Sequence, residues 1–295
     1  MRLEDFDKGE HYTARVLSNS AITPPQAAEE VRELVLEIER PDFEFAIGQS
    51  VGVIVAGPFK GQASRADLEL GHSHHFRLYT VADTPHLRDN GKPEIKLCVK
   101  RCNYIDAYSG ERYPGIASNH LCDLQPEAEL TINGPFGLPF QLPADKNADL
   151  LMIGMGTGIA PFRAFVKHLY REVGSWNGKV RLFFGARSGL ELLYMNDQRD
   201  DFTQYYDEET FAAFKALSPR PGWGDPIAMG EALEQRAEEV LAILTSEKGH
   251  VYVAGREDVL ETLEKVFSIL LDSRENWQKL KAELRQSNRW QELIY

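Results

Sequence analysis

The chain has 295 residues, of which 43% are hydrophobic and 26% are charged, a composition typical of globular rather than disordered proteins. This length is sufficient for two domains of ordinary size. The net charge of −12 argues against nonspecific binding of nucleic acid, although a local basic patch remains compatible with it.

The N-terminal segment and the cysteines bear on the compartment. The segment MRLEDFDKGEHY is charged and has no apolar core, so we expect no signal peptide, and no apolar run approaches the length of a membrane span. Cys98, Cys102 and Cys122 form an odd, sparse set, which favours a reducing compartment and no disulfide framework. Cys98 and Cys102 are four residues apart, but no second ligand pair follows. We therefore expect a cytoplasmic protein without a metal site.

Short β-rich runs fill the chain up to about residue 143. Glycine, proline and asparagine separate these runs, as an antiparallel barrel requires. In chain order the runs are HYTARVLSN, VRELVLEIE, QSVGVIVAG, FRLYTVAD, EIKLCVKRC and ELTINGPFG.

The pattern changes to alternating strands and helices after residue 147. ADLLMIGM, KVRLFFGA and HVYVAG are typical of strands, whereas APFRAFVKHLYREV, GEALEQRAEEVLAIL and DVLETLEKVFSILLD are typical of helices. This alternation predicts a parallel sheet with helices on both faces. The boundary falls in LPADKNAD, residues 142–149, so we predict domains at 1–146 and 147–295.

A glycine turn lies between the first of these strands and its helix. IGMGTGIAPFRAF resembles a dinucleotide fingerprint, but its last glycine or alanine is replaced by Pro161. Gly154, Gly156 and Gly158 let the backbone approach a bulky anion, and the helix N-terminus offers unpaired N–H groups to a phosphate. Pro161 suits the first helical turn, and Arg187 adds a cation after the next strand. The alternatives are a structural turn without a ligand and a solvated arginine.

Two further groups of residues lie in the barrel half. In the segment RLYT, strand alternation puts Arg77 and Tyr79 on one face and Leu78 and Thr80 on the other. The segment PGIASNHL contains Gly115, Ser118 and Asn119, which are typical of a turn and helix cap. Each segment alone is equally compatible with an ordinary edge strand or turn.

Together, these segments resemble the plant-type ferredoxin–NADP(+) reductase family, nearly from end to end and in the same order. The segments that carry the resemblance are YTARVLSNSAIT, GQSVGVI, RLYT, LCVKR, GIASNHLCDL, INGPFG, GTGIAPFRAF, LFFGARSGLELLY, VYVAG and RWQELIY.

The resemblance implies a two-domain flavoprotein with FAD and NADP(H) as cofactors, and with NAD(H) as the alternative nucleotide. The N-terminal domain would be an antiparallel β-barrel that binds FAD, and the C-terminal domain an α/β parallel-sheet domain that binds NAD(P). The implied activity is electron transfer between NADP(H) and ferredoxin or flavodoxin, with hydride transfer at flavin N5.

The resemblance also assigns roles residue by residue. Tyr79 would stack on the flavin, Arg77 and Ser118 would hold the FAD pyrophosphate, the Thr80 hydroxyl would face N5, and Tyr295 would cover the other flavin face and gate it. Thr80, Tyr295 and Glu292 are the implied catalytic residues. The implied cofactor-binding residues are Arg77, Leu78, Tyr79, Thr80, Cys98, Lys100, Gly115, Ala117, Ser118, Gly156, Thr157, Gly158, Pro161, Arg187, Ser218, Arg220 and Tyr295.

The chain departs from the family pattern near the nicotinamide. Ala254 replaces a common cysteine, and Leu293 replaces the acidic residue two before the terminal tyrosine. Glu292 is next to that position. Either the carboxylate assistance is lost, which would slow hydride transfer, or a bulge in the tail brings Glu292 back. A further change is Ala117, where plant members have cysteine.

The segment LSPRPGWGDPIAMG departs from the family pattern for the 2′-phosphate. Ser218 and Arg220 align with the family's Ser-Arg pair, but the Lys-x-Tyr positions fall on Asp225 and Ile227. An aspartate there would repel a 2′-phosphate and favour NADH, and Trp223 would supply adenine stacking. The alternative for Asp225 is a solvated loop residue without a role.

The sequence is compatible with more than one electron acceptor. An acidic ferredoxin or flavodoxin-like carrier would dock on cations such as Arg65, Arg88, Lys92, Lys96, Lys100 and Arg101, provided that they cluster on one face. The chain would otherwise be the NAD(P)H-dependent reductase component of a multicomponent oxygenase or other enzyme complex, or a low-turnover flavoprotein serving as a redox sensor or assembly subunit. We expect an exposed, titrating loop rather than a metal site at His72, His74 and His75.

Overall fold

The computed structural model describes residues 9–57 and 74–295, which divide into two units, Met1–Pro139 and Phe140–Tyr295. In these described ranges no helix is both long enough and apolar enough to cross a membrane.

The first unit is built on a seven-stranded antiparallel sheet. The strand order is β4-β3-β9-β1-β2-β6-β5. Immediately after β4, Val81 pairs with Leu97 of β6, and the Ala82 amide donates to the Lys96 carbonyl at 2.7 Å, so the sheet closes into a barrel. The strands are β1 (Tyr12–Ala21), β2 (Val31–Ile38), β3 (Ser50–Ala56), β4 (His74–Thr80), β5 (His86–Leu87), β6 (Pro93–Lys100) and β9 (Glu129–Phe136), and the barrel also carries the hairpin β7 (Asn103–Ile105) and β8 (Arg112–Pro114) and the helix α1 (Ile116–Asp123).

Side chains alternate between the two faces of these strands, and the apolar side chains on the inner face form the core of the barrel. Val51 and Val53 of β3 and Ile95, Leu97 and Val99 of β6 are fully buried. Helix α1 closes part of this core and contacts β3, β4 and β6. The barrel expected from the β-rich runs is therefore confirmed, and each run contains a strand.

The second unit is a five-stranded parallel sheet of order β14-β11-β10-β15-β16. The elements are β10 (Asp149–Met155), α2 (Ile159–Lys167), β11 (Val180–Ala186), the small antiparallel pair β12 (Met195–Asn196) and β13 (Arg199–Asp200), β14 (Phe211–Leu217), α3 (Met229–Glu234), α4 (Ala237–Thr245), β15 (Gly249–Gly255), α5 (Asp258–Leu270), α6 (Arg274–Gln286) and β16 (Trp290–Ile294).

Helices cover both faces of this sheet, as the alternation predicted. On one face, Tyr252 of β15 packs against Phe165 of α2, with ring centroids 4.9 Å apart. On the other face, Val251 and Val253 belong to the core cluster formed with α3 to α6. In that cluster Trp277 of α6 lies 4.8 Å from Phe267 of α5 and 5.4 Å from Trp290 of β16, between ring centroids, which fixes the C-terminal strand.

Several elements differ from the sequence prediction. The helix predicted over GEALEQRAEEVLAIL is two helices, because the backbone leaves helical geometry at Arg236, whose guanidinium lies over the Phe214 ring at 4.8 Å. The helix predicted over APFRAFVKHLYREV is α-helical only to Lys167 and continues as a π-helical turn, His168–Val173. The strands β14 and β16 and the helix α6 had no sequence prediction.

Candidate functional site

The glycine turn of the second unit joins β10 to α2. A short 3-10 turn, Gly156–Gly158, lies between them. Gly156 has φ +56°, which an L side chain rarely adopts, and a Cβ at Gly158 would lie 2.2 Å from the carbonyl oxygen of Ala254. Pro161 lies in the first turn of α2, where its missing N–H removes no helical hydrogen bond. The turn therefore lies against β15, with Gly156 exposed and Gly158 buried.

The parallel register places several loops side by side at the carboxyl edge of this sheet. Gly154 of β10 pairs with Ala254 of β15, and Ala186 of β11 pairs with Leu217 of β14. The exposed Arg187 and the buried Ser218 consequently follow neighbouring strand ends. In open α/β sheets ligands bind at this edge, outside the carboxyl ends of the strands.

The terminal tyrosine lies at the glycine turn. The Tyr295 backbone N–H donates to the Gly255 carbonyl at 3.2 Å, and its hydroxyl lies 2.6 Å from the Thr157 hydroxyl oxygen. Its ring is 57% exposed. An aromatic ring is thus held over the turn that a nucleotide would approach.

The tail that carries Tyr295 is a regular strand. β16 pairs with β15 from Val251↔Trp290 to Gly255↔Ile294 without a register shift, so the expected alternative of a bulge is not what the structure shows. The Glu292 carboxylate accepts hydrogen bonds from Arg285 at 2.6 Å and from the Trp290 indole. A catalytic role for Glu292 stays a prediction.

Two of the departures from the family pattern are neighbours in this sheet. Ala254 of β15 and Leu293 of β16 are directly paired, and Ala254 is fully buried. Relative to the family pattern, a thiol and a carboxylate are thus both replaced by apolar side chains. The two replacements are adjacent in the sheet and belong to one local environment.

Hydrogen bonds and an ion pair connect residues within the loop that follows β14. The Ser218 hydroxyl donates to the Asp225 carbonyl oxygen at 2.7 Å. Arg220 donates from Nε and Nη2 to the two Asp225 carboxylate oxygens at 2.8 and 3.4 Å, and its guanidinium lies 5.4 Å from the Trp223 ring centroid. Ile227 packs into the apolar core of the unit. Ser218 and Arg220 therefore lie at the carboxyl edge, and Asp225 is the carboxylate paired with Arg220.

In the first unit, β4 presents the segment RLYT. The register with β3 is regular, so Arg77 and Tyr79 share one face, as predicted. Arg77 is exposed and Tyr79 packs against the barrel core. Burial raises the pKa of the Tyr79 phenol above its ordinary value. The Thr80 hydroxyl lies 3.1 Å from that of Ser50, a partner that sequence reasoning missed and that the β3–β4 register reveals.

The N-terminus of helix α1 lies in the same unit as this strand, and the helix contacts it. Gly115 precedes its first turn, and within the described residues no side chain caps that end. The Ser118 hydroxyl accepts a hydrogen bond from the Cys102 amide at 3.1 Å, and Asn119 donates to the carbonyls of Cys102 and Gly115, each at 2.8 Å. These bonds fix the start of the helix. Because α1 contacts β4, a guanidinium and helix N–H groups are available to a pyrophosphate in the same unit.

The remaining predicted residues lie around α1. Leu78 and Gly115 are half-buried, whereas Cys98 and Ala117 are buried. Lys100 pairs with Glu29 at 2.6 Å. The three cysteine side chains, all within the described ranges, are thiols rather than disulfides.

The hairpin that precedes α1 carries an aromatic pair that sequence reasoning missed. Tyr104 and Tyr113 face each other across β7 and β8, with stacked rings 5.6 Å apart. The segment NYIDAYSGERYP could have indicated this pair, because Tyr104 and Tyr113 lie on either side of a turn. The strand β8 ends at Pro114, directly before Gly115, so the aromatic pair lies on the hairpin that leads into α1.

The expected docking cations are largely ion-paired. Arg65 lies outside the described residues. Each of the other five pairs with a carboxylate of the same unit: Arg88 with Glu37 and Glu94, Lys92 with Glu37 and Glu39, Lys96 with Asp83, Lys100 with Glu29, and Arg101 with Glu30 and Asp123. The local positive charge that they offer to an acidic carrier is correspondingly reduced.

The histidine segment is described only in part. His72 lies outside the described residues. His74 and His75 begin the strand β4, and His75 is buried, so the expectation of an exposed loop is wrong for these two residues. In the part of the chain that the structure describes, no three His, Cys, Asp or Glu side chains come close enough together to hold a metal ion.

The chemistry of these donors fits two cofactors. Arg77, Tyr79 and the α1 N-terminus form the set that a flavin dinucleotide needs, namely cations and N–H groups for phosphates and an aromatic face for a ring. The glycine turn and the carboxyl edge suit a second dinucleotide. An antiparallel barrel with the first set and a parallel sheet with the second define a two-domain, nicotinamide-dependent flavoprotein reductase.

Comparison with known proteins agrees with this class. The model of the oxidoreductase NAD-binding domain family matches residues 152–265. The leaf-type chloroplastic ferredoxin–NADP reductase of Nicotiana tabacum is 32% identical over 300 residues, covering 98% of this chain and 78% of its own length. The ferredoxin–NADP reductase of Picosynechococcus is 28% identical, covering 96% of this chain and 70% of its own length. The chain belongs to the ferredoxin–NADP reductase family.

A solved structure has the same fold. The ferredoxin–NADP+ reductase of Plasmodium falciparum aligns with a TM-score of 0.70 and 18% sequence identity, covering 97% of each chain. At this identity the alignment supports the architecture alone.

Proposed function

We propose that this chain is an FAD-dependent oxidoreductase that transfers electrons between NADP(H) and ferredoxin or flavodoxin, with hydride transfer between nicotinamide C4 and flavin N5. The observation that carries the proposal is the carboxyl edge of the second unit, where Tyr295 contacts Thr157 of the glycine turn and Arg187 follows the neighbouring strand β11. Relatives that match 96% and 98% of this chain are named ferredoxin–NADP reductases, which supports the choice of acceptor.

We assign FAD binding to residues 1–146 and NAD(P) binding to residues 147–295. Bound FAD would supply a store of two electrons that are released singly, which exchange between a hydride carrier and a one-electron carrier requires. Arg77 and the N-terminus of α1 would hold its pyrophosphate, and Tyr79 would pack against its ring. The Thr80 hydroxyl, oriented by Ser50, would donate a hydrogen bond near the reacting nitrogen.

The second unit would bind the visiting nucleotide. The Gly156–Gly158 turn would receive the pyrophosphate, because Gly156 is exposed and α2 begins directly after the turn. The Tyr295 ring lies over this turn and is held by Thr157. It must leave before a nicotinamide enters, so Tyr295 would act as a gate.

The free thiols are in keeping with a reducing compartment, and we place the enzyme in the cytoplasm as part of this proposal.

The test is reduction of the FAD-loaded protein by NADPH and by NADH, followed by a ferredoxin-coupled cytochrome assay. Rapid dye reduction together with ferredoxin-dependent cytochrome reduction supports the proposal. Dye reduction without any response to ferredoxin or flavodoxin would favour a reductase component of another complex. A flavin-loaded protein that neither nucleotide reduces would favour a sensor or assembly subunit.

A further inference from the structure

We propose that Asp225 is a specificity-determining residue that lowers the preference of this enzyme for NADP(H) over NAD(H), by engaging the guanidinium of Arg220. This inference rests on the proposed function. It concerns the loop Ser218–Asp225, which follows β14 at the carboxyl edge of the sheet.

The position of the loop suits the adenosine end of a dinucleotide. β14 lies two strands from β10, and two strand spacings are roughly 10 Å. A dinucleotide whose pyrophosphate lies at the glycine turn would extend along this edge toward the loop. There the Trp223 ring is 82% exposed and flanked by the Arg220 guanidinium, a surface on which an adenine can stack.

The loop geometry holds Asp225 in place. The buried Ser218 hydroxyl bonds the Asp225 backbone, and Gly224, with φ +78°, turns the chain back toward Arg220. The Trp223 amide donates to the Arg220 carbonyl at 3.0 Å. The carboxylate is thus anchored by its own backbone rather than by the exposed ion pair alone, which by itself would contribute little.

The chemistry of the pair distinguishes the two nucleotides. Asp225 engages two of the guanidinium nitrogens, Nε and Nη2, which form the bidentate edge that a phosphate would take. A 2′-phosphate would meet a carboxylate already on that cation and be repelled. A ribose 2′-hydroxyl, in contrast, can donate a hydrogen bond to a carboxylate, as acidic residues in NAD-binding sites do.

The experiment measures NADP+ and NAD+ binding by calorimetry and reduction of the FAD-loaded protein by NADPH and NADH. It compares the wild type, Asp225→Asn, Asp225→Asn/Arg220→Ala and the control Glu247→Gln. Glu247 is exposed and precedes β15 at the opposite edge of the sheet, so this control removes the same charge away from the loop. We expect Asp225→Asn to increase the NADP+/NAD+ affinity ratio by about tenfold, or about 1.4 kcal/mol, with a parallel change in the kcat/KM ratio.

The double variant should lose this gain, because the released guanidinium is gone, and Glu247→Gln should leave the ratio at the wild-type value. An unchanged ratio in Asp225→Asn, a gain that persists without Arg220, or an equal gain in Glu247→Gln would overturn the inference. These results are distinct from failure of the proposed function, in which neither nucleotide reduces the flavin in any variant. Melting temperatures of all variants would show whether the loop substitution has unfolded the unit.

Discussion

The substitution Gly158→Ala tests the close approach between the glycine turn and β15. A Cβ at this position would lie 2.2 Å from the Ala254 carbonyl oxygen, 2.5 Å from its carbon and 2.8 Å from the Gly255 nitrogen. All three are backbone atoms of a strand that is hydrogen-bonded on both sides, by β10 and β16, so no side chain can rotate away. Relief requires the turn to move by about 1 Å. Overpacking costs typically 1–3 kcal/mol, and we expect about 3 kcal/mol here.

Two matched alanine substitutions separate this clash from other glycine effects. Gly156→Ala meets nothing within 4 Å but must adopt φ +56°, so we expect a cost of about 1–2 kcal/mol. Gly189→Ala meets nothing within 4 Å and has no positive φ, so we expect little change.

Urea unfolding followed by tryptophan fluorescence is a suitable assay. All four tryptophans lie in the second unit, so the signal reports the unit that contains the turn. The reasoning is refuted if Gly158→Ala unfolds at the same urea concentration as Gly189→Ala.

Other substitutions test the proposed roles of single side chains. Thr80→Val should slow flavin reduction by the nucleotide while FAD stays bound, since the hydroxyl is lost; a stopped-flow rate equal to wild type would contradict this. Tyr295→Ser should tighten nucleotide binding and relax the choice between NADPH and NADH, because the competing ring is gone; unchanged dissociation constants for both would argue against a gate. Hydrogen bonds from Asn90 and Arg15 lower the pKa of buried Glu37, so its stabilisation is complete above the unfolded pKa of about 4.3 and is lost as the pH falls through the folded value. Glu37→Gln should therefore cost about 2 kcal/mol at pH 7, and this cost should decrease as the pH falls below about 4.3; shifts in the urea midpoint of the first unit that stay equal over this pH range would show that the charge is not the cause.

The sequence predicts the elements whose pattern is local. Alternation in RLYT places Arg77 and Tyr79 on one face, and the glycine turn predicts the strand–turn–helix from β10 to α2. These features depend on residues close in sequence, so periodicity and turn chemistry are sufficient.

Other elements depend on distant partners. β14, with the sequence FAAFKAL, is rich in residues without strand preference and is a strand because it pairs with β11 along its whole length. The terminal segment is a strand because Trp290 packs against Trp277. The pairing of Arg220 with Asp225 requires the turn at Gly224, and the pairing of the docking cations requires the barrel register. The sequence shows which residues are charged, but it does not show which of them form ion pairs in the folded chain.

The most direct test of the central claim is stopped-flow mixing of the FAD-loaded protein with NADPH, followed at the flavin absorbance near 450 nm. We expect the barrel unit to bind FAD stoichiometrically and NADPH to bleach this band, with reoxidation when ferredoxin is added. A purified protein that stays colourless after incubation with FAD would contradict the account, as would a bound flavin that no nicotinamide nucleotide reduces.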